Sequence, residues 1–261
     1  MGDMTNVMIT GVYGLIAGST YNHLVREPDR YAVCGLARRR QPSDRVPADE
    51  VISVPDDRFV LSDLSDLKQV TEAVSGMDVV VHMAADPSGQ GGWESVLQSN
   101  VIGAYNLFEG CRLAGVERVV FASSIQVSAG YRREEAYERF RSGAADDVHV
   151  VTHLDPVRPL NLYASSKIWG EALARVYADV HKMSCLCIRI GWVVGDDKLP
   201  QPGAGDIWCS RRDIVQLIQR CVDAPDDVRF DVFYGMSNNE RCWVDVKHAR
   251  DVVGYEPVDG G

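Results

Sequence analysis

No apolar run in this 261-residue chain approaches the ~20 residues that a membrane-crossing helix needs. The amino-terminal end has no basic segment leading into an apolar core, the mark of a secretory signal, so a cytoplasmic location is expected. Met1-Gly2 could open a myristoylation motif, but Asn6 occupies the position that wants Ser or Thr. Positive charge is in deficit: 27 Lys and Arg against 37 Asp and Glu leave a net charge of −10. That argues against non-specific binding to nucleic acid or to an anionic membrane surface. None of the seven cysteines forms a Cys-x-x-Cys pair, and no zinc spacing is visible, so no metal ligands are expected. Cys185 and Cys187, two apart, read as core thiols on one face of a strand.

The organising stretch is Val7 to Gly18. The short apolar run Val7–Ile9 reads as a buried strand, Thr10, Gly11 and Gly14 follow, and a helical pattern runs from Leu15 to Arg26. Strand, glycine turn and helix are the arrangement that sets a helix amino terminus against a dinucleotide pyrophosphate. Gly11 permits the tight turn, Gly14 lets backbone approach phosphate, and Ala17 allows close packing of helix on strand. Downstream, apolar runs alternate with helical patterns. Strands are expected at 31–37, 58–61, 78–83, 118–122, 184–190 and 228–234, and helices at 65–74, 93–114, 160–182 and 212–223. Such alternation implies parallel crossovers and an α/β, doubly wound sheet. No domain boundary is visible, so residues 1–261 are expected to form a single nucleotide-binding domain. Segments 191–212 and 235–261 would cap the carboxyl ends of the strands, with a polar insert over 131–155.

An NAD-binding unit usually carries an acid about 20 residues after the glycines, to hold the ribose 2′-hydroxyl. Here Leu36-Ala37 is followed by Arg38, Arg39 and Arg40. Guanidinium groups suit a 2′-phosphate, which a carboxylate would repel, so NADP is expected over NAD. Asp63, beside Leu64, can accept from an adenine amino group or cap a helix. Ala84 and Ala85 end a strand with small side chains that admit the cofactor, and Asn100 is an unfavourable residue for mid-helix, which suggests a specific hydrogen bond. Tyr163 and Lys167, four apart, share a helix face. With Ser124 at the end of the strand before them, they have the groups for alcohol oxidation: a phenol to take a proton, an ammonium to favour its ionised form, and a hydroxyl to hold the substrate oxygen.

The ordered set Thr10-Gly11-x-x-Gly14-x-x-Ala17, Asp63-Leu64, His82-Met83-Ala84-Ala85, Asn100-Val101-x-Gly103, Ser123-Ser124 and Tyr163-x-x-x-Lys167 resembles the extended short-chain dehydrogenase/reductase family, which is NAD-dependent epimerase/dehydratase-like. The resemblance spans nearly the whole chain. It implies a Rossmann-type sheet with a small carboxyl-terminal capping portion, Tyr163 as acid/base, Lys167 as ribose ligand and pKa partner, and Ser124 on the substrate oxygen. Contacts to the cofactor from Tyr13, Leu15 and Ile190, and to substrate from Ser88, Gln126 and Trp192, follow from it as well. So does a homodimer built on the two long helices.

Within that family, Trp93-Glu94-Ser95-Val96-Leu97, Ile207-Trp208-Cys209-Ser210, Tyr234-Gly235-Met236-Ser237-Asn238-Asn239 and Gly254-Tyr255-Glu256-Pro257 resemble the sugar-C1 dehydrogenases, uronate dehydrogenase and archaeal glucose-6-phosphate dehydrogenase among them. Oxidation of a sugar at C1 to a lactone is the implied reaction. The chain departs from that group where it grips substrate: Ile125-Gln126 replaces Asn-His, and Trp192 replaces a serine. The arginine that holds the uronate carboxylate has no counterpart in 196–206. Ile125 and Trp192 suggest a bulkier, less polar pocket or simple loop repacking. They favour a second reading, an NADPH-dependent carbonyl reductase on an apolar ketone or aldehyde. A third is a non-catalytic NADP-sensing regulator, which would have no need of the Ser124, Tyr163 and Lys167 set. Epimerases and dehydratases of the superfamily carry a larger carboxyl-terminal part than residues 192–261 supply. The insert, with Arg132, Arg133, Arg139 and Arg141 among acids, reads either as a substrate lid or as a solvated elaboration.

Overall fold

The computed structural model describes residues 4–87, 92–199 and 204–261. Its frame is one seven-stranded sheet in the order β3-β2-β1-β4-β5-β6-β7, and every neighbouring pair is parallel. The strands are β1 (Thr5–Thr10), β2 (Tyr31–Ala37), β3 (Phe59–Leu61), β4 (Val79–His82), β5 (Arg118–Ser124), β6 (Ser184–Ile190) and β7 (Phe230–Gly235). The helices are α1 (Leu15–Leu24), α2 (Leu67–Ala73), α3 (Gly92–Val96), α4 (Gly103–Ala114), α5 (Glu135–Arg141), α6 (Leu162–His181), α7 (Arg211–Val222) and α8 (Lys247–Val253). The order 3-2-1-4 reverses direction between β1 and β4, and ligands of such sheets bind at that switch point.

The strands are apolar on both faces because helices cover both. On one side, Val7, Ile9, Val81, Val120, Leu186 and Ile188 meet α1 and α7. On the other, Met8, Val80, Val119, Phe121, Cys185 and Cys187 meet α4 and α6. Cys185 and Cys187 are buried free thiols, as their alternation required. A third, smaller core joins Ile125, Tyr131, Tyr137, Val151, Tyr234 and Trp243. It explains two departures from expectation. The insert is not merely solvated: α5 stacks edge-on through Tyr137 against Tyr131 and Trp243, at ring-centroid distances of 5.5 and 5.7 Å. Ile125 is buried there and does not widen a pocket.

The helix expected over 93–114 is present but not uniform. Residues Leu97–Ile102 wind as a π-helix between α3 and α4, and such turns commonly mark functional positions. Helix α8 has no counterpart in the sequence reading.

Candidate functional site

The glycine turn sits where the sheet reverses. Gly11 has φ of +69°, and a Cβ added there would lie 2.9 Å from the Ala84 Cα beyond β4. Two separate constraints, dihedral and contact, therefore require glycine at this position. Gly14 stands as the N-cap of α1, so the helix amino terminus opens onto the turn. Thr10 locks the two strand ends together: its Oγ1 accepts from the amides of Met83 and Ala84, both at 3.1 Å, and lies 2.8 Å from His82 Nδ1. With both lone pairs engaged, the threonine hydroxyl donates to Nδ1, which puts the histidine proton on Nε2. His82 is buried, and burial, then the charge of Lys167, pulls its pKa down to about 3, so the ring is neutral.

A cleft runs from this turn across the ends of β2 and β3. Gly11, Tyr13, Gly14, Arg38 and Arg39 line it on one side, and Asp63, Leu64, Ala84 and Ala85 on the other. Gln41, Ser43, Ser62 and Ser99 also line it and were not picked out from sequence, where single polar residues in turns carry no signal. The three arginines do not act alike. Arg38 and Arg39 are exposed on the cleft wall, whereas Arg40 pairs with Asp56 at 2.5 Å and lies over the Phe59 ring. Asp63 is not the cap of α2; Asp66 is, accepting from the amides of Lys68 and Gln69. Asp63 spends Oδ1 on the Ser65 amide and lines the cleft. Leu15 and Ile190 have their side chains in the core, so only their main chain can face a nucleotide. The residues present fit a dinucleotide: a glycine turn at a helix amino terminus, an open approach over Ala84 and Ala85, and the exposed Arg38 and Arg39 beside β2.

Tyr163, Lys167 and Ser124 come together at the carboxyl end of β5. Lys167 is buried, its Nζ donates to the Ala122 carbonyl at 2.8 Å, and it lies 5.5 Å from the centre of the Tyr163 ring. Burial pulls its ammonium down to about 8. Burial likewise raises the Tyr163 phenol above its ordinary value. The Ser124 hydroxyl, through a hydrogen bond, and the Arg45 charge oppose that rise, while Asp86 adds to it. Arg45 and Asp86 are the site residues that sequence reasoning missed. Arg45 reaches the site from the loop after β2, where its guanidinium donates to the Val193 carbonyl at 3.0 Å. Asp86 follows Ala85 directly, and only the fold brings either charge near Tyr163.

The two serines that end β5 divide their work. Ser123 Oγ donates to Glu171 at 2.5 Å inside the core, and Ser124 is left facing Tyr163. Asn100, on the π-helical turn, accepts from the Asp86 amide at 2.7 Å. It donates to the Asp86 carbonyl at 3.1 Å and to Ser166 Oγ at 3.0 Å, so it ties the loop after β4 to α6. Its mid-helix position is explained by these bonds, which make its side chain a brace. Gln126 gives its amide oxygen to Asn161, the N-cap of α6. Trp192, just past β6, is 51% exposed. Ser88 lies outside the described residues. Two of the insert's cations are occupied: Arg132 and Arg141 both pair with the buried Asp206, at 2.9 and 3.0 Å.

The family model of the NAD dependent epimerase/dehydratase family matches residues 7–254, and the chain belongs to that family. Among its relatives is an NAD-dependent glucose-6-phosphate dehydrogenase of Haloferax volcanii, 31% identical over 97% of this chain and 93% of that protein. An L-arabinose 1-dehydrogenase (NAD(P)(+)) of the same organism is 31% identical over 98% of this chain and 97% of its own length. A solved structure of glucuronic acid dehydrogenase from Chromohalobacter salexigens, 28% identical, superposes with a TM-score of 0.79 and covers 99% of this chain and 86% of the other.

Proposed function

We propose that this oxidoreductase of the extended short-chain dehydrogenase type oxidises a sugar at C1 to the lactone and prefers NADP. The observation that carries the reading is the trio at the end of β5: a hydroxyl, a phenol beside it and a buried ammonium, next to a cleft shaped for a dinucleotide. When bound, the oxidised nicotinamide supplies a hydride acceptor. Tyr163 as phenolate takes the proton of the C1 hydroxyl while Ser124 holds that oxygen. Lys167, with no carboxylate hydrogen-bonded to it among the described residues, lies against the ring that must ionise and favours the phenolate. The relatives that act on glucose 6-phosphate, arabinose and uronates support a sugar substrate. The pair of exposed arginines at the end of β2 supports NADP.

The test is formation of reduced nicotinamide with NADP or NAD against aldoses, uronic acids and sugar phosphates. Activity on one sugar, larger with NADP and abolished in Tyr163→Phe without loss of cofactor binding, is the expected result. Turnover by Tyr163→Phe within a few-fold of the parent would remove the assigned role. The exposed indole of Trp192 favours a carbonyl reductase on an apolar ketone as second reading. Silence across the sugars together with NADPH oxidation by such a ketone would select it.

A homodimer accompanies the proposal. Leu162, Trp169, Val176 and Val180 recur at spacings of seven and four on α6 and are exposed, as are Tyr105 and Leu113 on the neighbouring α4. An apolar stripe of this kind needs a cover.

A further inference from the structure

At the edge strand β7, away from the nucleotide cleft, three metal-ligating side chains converge. Asp231 is the second residue of β7, His248 the second of α8, and His153 lies in the turn 152–155 that returns from the insert. One ligand atom from each lies no more than 4.8 Å from the others. His248 Nε2 is 2.7 Å from Asp231 Oδ1, and the two imidazoles stack with centroids 4.3 Å apart.

Packing and hydrogen bonding leave one of these atoms unexplained. His153 Nδ1 is buried, and among the described residues nothing hydrogen-bonds it. Asp231 uses Oδ1 for both His248 and the Val232 amide, which leaves Oδ2 without a hydrogen bond from the described residues. A buried imidazole nitrogen without a partner is destabilising unless something supplies an acceptor, a donor or a bond. We propose that His153, Asp231 and His248 form a binding site for a divalent transition metal of the zinc class. Two imidazoles and one carboxylate are a borderline-soft donor set that suits Zn²⁺ or Co²⁺ and disfavours Mg²⁺ and Ca²⁺, which want oxygen throughout.

Tetrahedral coordination with bonds near 2.0–2.1 Å sets ligand atoms about 3.3 Å apart. For an ion to bind, the His248–Asp231 contact must open slightly, the longest separation must close, and the stacked rings must turn so that a nitrogen lone pair of each points at the ion. Partial exposure, 25% for the His248 side chain and 15% for that of Asp231, leaves a path for the ion and room for a fourth ligand such as water. The ion joins the end of the insert, the edge strand and α8, three segments far apart in sequence. Asp231 lies near the amino end of β7, whereas Tyr163 faces the carboxyl end of β5. The metal is therefore a clamp on the fold and takes no part in the dehydrogenase chemistry.

Chelator-treated full-length protein titrated with Zn²⁺ by calorimetry should take up one equivalent per chain and show a raised melting temperature. Co²⁺ should give the intense visible absorption of a tetrahedral site. His153→Ala and Asp231→Asn should each weaken Zn²⁺ binding at least tenfold and abolish the cobalt bands, while His181→Ala keeps both. No uptake by the parent chain, or uptake unchanged in the two variants, overturns the proposal. If His153→Ala does not fold, the near-isosteric Asp231→Asn makes the same comparison.

Discussion

Tyr163 sits between opposing fields. Burial raises its pKa, and of the two charges that fold beside it Arg45 pulls it down while Asp86 pushes it up. Oxidation needs the phenolate, so activity should grow with pH through the phenol's titration. Arg45→Gln removes the lowering charge and should move the acid limb of kcat/KM to higher pH. Asp86→Asn should move it to lower pH, and a pair of pH–rate profiles checks the opposite signs. At the other end of the cleft, replacing Arg38 and Arg39 with Asp and Ser would remove the charge-assisted hydrogen bonds proposed to the 2′-phosphate, about 1.5–3 kcal/mol each. NADP affinity should fall tenfold or more and NAD affinity far less; equal losses in binding titrations would show that these arginines do not read a 2′-phosphate. The identities of Tyr163, Lys167 and Ser124 were legible because their spacing repeats a family pattern. Arg45 and Asp86 were not, because no periodicity links the loops after β2 and β4 to a helix so far along the chain.

Helix α6 carries Tyr163 and Lys167, and its height above the sheet is set by Gly170. A Cβ there would come within 2.0 Å of the Phe121 ring on β5, so helix and strand touch through hydrogen alone. Gly170→Ala must lift the helix or displace the ring, at about 1–3 kcal/mol of overpacking. Lys167, one turn earlier, would lose its 2.8 Å bond to Ala122. Thermal melting should show the destabilisation, and kcat should fall more than cofactor affinity. Sequence periodicity marked α6 and its strand neighbours nearly to the residue, since buried parallel strands and amphipathic helices print their geometry in apolar spacing. The same periodicity passed over the π-turn at Leu97–Ile102, whose signal is one extra residue per turn. It also passed over α8, which is seven residues long and buries mainly Ala249 and Val253.

One buried network spans the middle of the molecule. Arg189 on β6 grips Glu171 of α6 with two hydrogen bonds, 3.0 and 2.9 Å, and holds the Tyr234 hydroxyl of β7 at 2.8 Å. Ser123 and Ser128 complete it. Glu171→Leu strands the arginine without its counter-ion and should cost about 3–5 kcal/mol in denaturant unfolding. At the scale of the assembly, sedimentation at micromolar concentration should report a dimer; a monomer would leave the α4 and α6 stripe without its proposed cover.

The chain's order of apolar strands, glycine turn and paired Tyr163 and Lys167 determined the doubly wound sheet, the position of the nucleotide cleft and the chemistry of the end of β5. These are local: each follows from spacing within one element or between successive ones. What the insert does was decided only in three dimensions. Its Arg132 and Arg141 close on Asp206, its aromatics meet Trp243, and Ile125 goes into the core it makes. So too was the meeting of His153, Asp231 and His248. Contacts between residues so far apart in sequence depend on how crossovers and returning loops pack, and apolar spacing carries no record of it.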